Sequence, residues 1–138
     1  MPNKFKGTFE VEIEGEHYEL RPTFDAMAEL TTLSNRSERE LFESLRCGDY
    51  TVSMITNIIY CGIMGEHWAS NRQSPKIDRR VLGQLLMMKG VTSFVPVALQ
   101  FLMFAVVPYK TAADAIEKSL SEADATEEEA DPQKKTVE

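Results

Sequence analysis

Two histidines, two cysteines and one tryptophan are spread through the 138 residues, and each scarcity removes a class of function. The cysteines, Cys47 and Cys61, form neither a CxxC nor a paired CxxC and HxxxH spacing, so no zinc or redox motif is present. Both read as buried, reduced thiols that pack as small hydrophobes. His17 falls on a predicted turn and His67 on a predicted loop, and neither has a group at a spacing that would orient it as a general base. Serines occur without a Gly-x-Ser-x-Gly elbow, and the seven glycines build no phosphate-cradling loop. No catalytic, metal or cofactor constellation emerges, and a non-enzymatic function is expected.

Basic stripes are missing too. Residues 1–110 carry 13 acidic and 12 basic side chains, whereas residues 111–138 carry 9 acidic and 3 basic. A nearly neutral body with an acidic tail offers no face that would neutralise phosphates, which argues against nucleic acid as a partner. The N-terminus turns to polar and apolar alternation almost at once and lacks the apolar core of a secretory signal, so a cytoplasmic location is expected.

What the sequence does have is strong periodicity. Phe9, Val11 and Ile13 alternate with Glu10, Glu12 and Glu14; after Gly15 the apolar face resumes at Tyr18 and Leu20. This predicts a β-hairpin over 8–21, ended by Pro22, whose apolar face must cover helices because two strands alone are marginal. Thr23 caps a helix over 24–33. Ser37-Glu-Arg-Glu40 is a capping box for a helix over 38–47, closed at Cys47-Gly48. Apolar residues on nearly every turn predict a buried central helix over 51–64, and polar 66–76 reads as a loop in which Trp68 either packs locally or stands as a binding anchor. Asp78 caps a helix over 78–89 carrying Val81, Leu82, Leu85, Leu86 and Met88. A short helix capped by Thr111 runs through Leu120, and a disordered acidic tail follows. The fold class is therefore mainly α: an N-terminal hairpin on a bundle of about four to five helices, forming one domain over 1–110, with 111–138 as helix and tail.

Between Val91 and Tyr109 lies "VTSFVPVALQFLMFAVVPY", nineteen residues without a charge. A helix over 93–107, capped by Thr92 or Ser93, would be about 22 Å long, against a hydrocarbon layer of roughly 30 Å. Gln100 at its centre, prolines near both ends and Lys89 and Lys110 on opposite flanks also argue against a membrane span. Two uses remain open to this helix. It is the centre of the core, or part of it meets another chain through Phe94, Ala98, Phe101, Leu102 and Phe104, with Met87 and Met88 adding an adaptable surface.

The order of elements carries a resemblance. "GTFEVEIEGEHYELRPTFDAMAEL" runs from hairpin into helix, followed by "MITNIIYCGIMG", the Asp-capped "IDRRVLGQLLMMKG" and an apolar closing helix. This resembles the small tail assembly chaperones of long-tailed phages and gene transfer agents, over residues 5–107 and through hydrophobic spacing rather than fixed catalytic residues. Loop 66–76 is longer than the family's pattern and the last helix more apolar. The resemblance implies a protein in the host cytoplasm, absent from the mature virion, that binds and solubilises the tape measure protein and assists assembly of the tail tube protein around it. Self-association through the apolar helix would repeat the groove along such a client. The alternatives are a structural tail tube component and a small holin-like membrane protein. Members of that family often make a longer product by frameshifting near the end of the shorter frame, and Gln133-Lys134-Lys135 is either a candidate slippery site or an ordinary lysine pair.

Overall fold

Phe9–Ile13 (β1) and Glu16–Leu20 (β2) pair antiparallel, with Phe9 opposite Leu20 and Ile13 opposite Glu16. Glu14 at φ 53° and Gly15 at φ 81° occupy the two linking positions. Positive φ at both marks a type I′ turn, whose twist suits a two-residue hairpin. Phe9, Val11, Ile13, Tyr18 and Leu20 are buried while Glu10, Glu12 and Glu19 face solvent, as the alternation predicts. The computed structural model describes residues 6–129, with side chains described over 6–121.

Six α-helices follow the hairpin among the described residues: α1 (Phe24–Ser34), α2 (Glu38–Arg46), α3 (Val52–Ala69), α4 (Arg79–Lys89), α5 (Val95–Val106) and α6 (Tyr109–Glu129). The predicted caps are in place at the first, second and fourth. The Thr23 hydroxyl accepts the Ala26 amide, Asp78 accepts the amides of Arg80 and Val81, and Ser37 and Glu40 form the reciprocal box. In that box the Ser37 amide, and then its hydroxyl, hold the Glu40 carboxyl below the usual carboxylate range.

The central helix α3 packs against β2, α1, α4 and α5, so it is buried on several faces. Two glycines permit the closest approaches. A methyl on Gly62 would stand 2.6 Å from Leu20 Cγ, and one on Gly65 would stand 2.5 Å from the Arg21 carbonyl oxygen. The hairpin thus lies directly on the α3 backbone, where the Arg21 amide donates to the Gly62 carbonyl at 3.0 Å.

Three boundaries depart from the sequence expectation. First, α3 continues to Ala69 through residues expected to start a loop, because Glu66 and His67 find partners that let them be buried. Second, the apolar run opens with a 3-10 turn, Val91–Phe94, and no side chain caps α5; the Thr92 hydroxyl instead lies 3.2 Å from that of Tyr50. Third, α6 begins at Tyr109 rather than after Thr111 and continues to Glu129 rather than stopping at Leu120. The remainder of the acidic tail, including Gln133, Lys134 and Lys135, lies outside the described residues.

Candidate protein-binding surfaces

The apolar run divides between core and flank. Ala98, Phe101 and Leu102 are fully buried and Phe94 nearly so, packed among α2, α3 and α6. This corrects their expected place on an interface. α2, α3 and α6 all pack against α5, so its Ala98, Phe101 and Leu102 side is enclosed by its own chain. Phe104 is half-buried, its ring edge-on to Phe9 at 5.9 Å and tilted against Tyr109 at 5.1 Å.

Met87 and Met88 are different: they stand 57% and 67% exposed on α4. The helix has two apolar faces. Leu82 and Leu86 are buried in the core and Leu85 packs against its margin, whereas Val81 and Met88, seven residues apart, lie on the outer side. Of these, Val81 is 51% exposed and Leu85 half-buried. The sequence signal for this second face was the width of the stripe, since 81, 82, 85, 86 and 88 span more of a helix than one contact can cover.

A second surface is a groove of about 810 Å³ between β1, the start of α5 and α6. Its floor is apolar, formed by Phe9, Phe94, Val97 and Ile116. Its hairpin rim is acidic on balance: Glu10, Glu12 and Glu19 line it, against one cation, Lys6. Strand pairing is what brings them together: the register sets Glu10 directly opposite Glu19 and Glu12 opposite His17. His17 Nδ1 lies 3.1 Å from Glu10 Oε2 on the same exposed face.

The remaining polar cluster anchors structure. Arg21 Nε donates to Glu66 Oε1 at 2.6 Å and the Ser74 hydroxyl donates to Glu66 Oε2 at 3.1 Å. His67 Nδ1 lies 2.8 Å from the Ser74 carbonyl, an oxygen that only accepts, so the proton sits on Nδ1. Hairpin, α3 and the segment after it are tied at one carboxylate. Trp68, on the last turn of α3, is 36% exposed beside this cluster.

Among the described residues no group of three or more His, Cys, Asp or Glu side chains is disposed to hold a metal ion. Comparison with protein families, with curated proteins and with solved structures finds no match to this chain. The surfaces themselves therefore carry the functional reading.

The two thiols separate sharply. Cys47, expected in the core, is exposed at the C-terminus of α2, while Cys61 is fully buried in α3. Burial, with a further push from the Glu29 carboxylate, raises the Cys61 thiol to about 12. Ellman's reagent at pH 8 is expected to titrate one thiol rapidly in the folded protein and the second only in denaturant. Rapid reaction of both without denaturant would contradict the burial of Cys61.

Proposed function

We propose that this protein is a tail assembly chaperone that holds an amphipathic, helical tape measure protein in solution. The observation that carries this reading is the exposed apolar surface of α4, Val81, Met87 and Met88, bordered by half-buried Leu85. Monomeric soluble proteins rarely leave such stripes open without a use. Unbranched, polarisable methionines repack around varied apolar shapes, which suits a long client without a single fixed motif. An amphipathic client helix laid along α4 would bury its own apolar stripe against these side chains. The resemblance in element order supports the same reading.

Among the described residues no single helix is long and apolar enough to cross a membrane. The chain turns by 109° between α4 and the apolar run after it, which lets the two helices enclose one core instead of forming one rod.

Co-expression with a phage tape measure protein tests the proposal. The wild-type chain is expected to move most of the client into the soluble fraction, and the Met87→Ser/Met88→Ser variant to lose most of that gain while folding normally. Equal client solubility with and without the chain would refute the reading. Equal rescue by the variant would remove α4 as the client face. Mass spectrometry of purified particles completes the test, since an assembly chaperone is expected to be absent from them.

A further inference from the structure

The outer edge of β1 borders the acidic-rimmed groove, and the geometry points to a strand-addition site there for an extended segment of another protein that alternates apolar residues with Lys or Arg. This inference stands on the hairpin and the groove and is independent of the tail-assembly reading.

The I′ turn makes Ile13 and Glu16 a pair that exchanges backbone hydrogen bonds, and alternation places Val11–Tyr18 and Phe9–Leu20 in the same class. The amides and carbonyls of Glu10 and Glu12 therefore point away from β2, toward the groove. β2 packs on α3 and continues into the Arg21–Gly62 bond, which leaves the β1 edge as the one beside the groove. A row of outward backbone groups is a template for another strand.

Side-chain alternation then dictates the chemistry of the occupant. In an added strand, inward residues continue the face of Phe9 and Val11 and meet the apolar floor at Val97 and Ile116. Outward residues stand beside Glu10 and Glu12. Those carboxylates already share their face with Glu19, and like charges directly opposite weaken a ladder. Lysine or arginine at the outward positions relieves that repulsion. A second copy pairing through its own β1 would instead bring glutamate against glutamate, so charge selects a different, cationic chain. The dimensions agree: five residues of β1 extend about 17 Å, and a groove of about 810 Å³ lies within the range of peptide and ligand sites.

The probe is a fluorescein-labelled Lys-Val-Lys-Val-Lys-Val-Lys peptide titrated with the full chain by fluorescence anisotropy. Saturable binding is expected, weakening about tenfold in the Glu10→Lys/Glu12→Lys variant and less in Glu10→Gln/Glu12→Gln. Both variants change exposed residues, and circular dichroism verifies their folding. N-methylation of one alternate set of peptide amides is expected to abolish binding while methylation of the other set leaves it nearly intact, a signature that simple charge attraction does not give. Failure of the wild-type chain to bind, equal affinity in the charge variants, or equal effects of the two methylations would overturn the proposal. So would binding that emerges only after deletion of residues 1–5, which would assign the groove to the chain's own N-terminal segment.

Discussion

Gly65→Ala is expected to destabilise the protein by about 2–3 kcal/mol, although alanine is the better helix former by about 1 kcal/mol. The added methyl would stand 2.5 Å from the Arg21 carbonyl oxygen and 2.9 Å from Ala26 Cβ. The first of these atoms is backbone, held by the chain that turns from β2 into α1, so relief requires moving the hairpin off α3. Gly62→Ala meets a side chain instead of backbone, but it is the base of fully buried Leu20, Cγ at 2.6 Å and Cβ at 2.7 Å, and a cost of about 1–3 kcal/mol is expected there. Gly83→Ala supplies the contrast. Its methyl would meet Thr56 at 3.5 Å, an ordinary contact, and helix propensity then decides, giving a gain of about 0.5–1 kcal/mol. Urea denaturation of the three variants, followed by circular dichroism, measures the series. A Gly65→Ala protein as stable as the wild type would mean that β2 does not lie on the α3 backbone as described.

These glycines mark the limit of what sequence could supply. The hairpin and the first four helices were legible because each has a local cause, such as the alternation from Phe9 to Ile13 or the capping side chains of Thr23, Ser37 and Asp78. Glycine inside "MITNIIYCGIMG" reads locally only as a weakness in a helix. Its purpose lies in Leu20 and Arg21, more than forty residues earlier. The end of α3 was hidden for the same reason. Glu66 and His67 look like the start of a polar loop until Arg21 and Ser74 satisfy them, and one of those partners is 45 residues away.

The candidate surfaces were half legible. Met87 and Met88 were identified as an adaptable surface and stand exposed, whereas the aromatic residues of the uncharged run could not be assigned a direction. A helix apolar on every side has no periodicity to show which side is covered. Only the placement of α2 and α6 against it resolves the matter, and that placement is tertiary. The groove was invisible for a different reason: glutamates alternating along a strand describe a solvated face, and nothing local reveals that α6 returns to close a trough beside β1.

Phe101→Ala is expected to cost about 3–5 kcal/mol, because Phe101 is the bulkiest fully buried side chain among the described residues. The cavity would open between α5 and the three helices packed on it, α2, α3 and α6, and close-packed interiors collapse only partially around a deleted ring. Met87→Ser/Met88→Ser removes comparable apolar atoms from exposed positions, and its effect on stability is expected to stay within about 0.5 kcal/mol. Paired measurements on these variants separate core from surface: denaturation midpoint for stability, and client solubility for function. The core reading requires Phe101→Ala to lower the midpoint steeply, with any loss of client binding tracking the unfolded fraction, while the methionine variant loses client binding at an unchanged midpoint. The opposite pattern, a Phe101→Ala protein that stays stable but releases its client, would return α5 to the binding surface and leave the exposed face of α4 without a role.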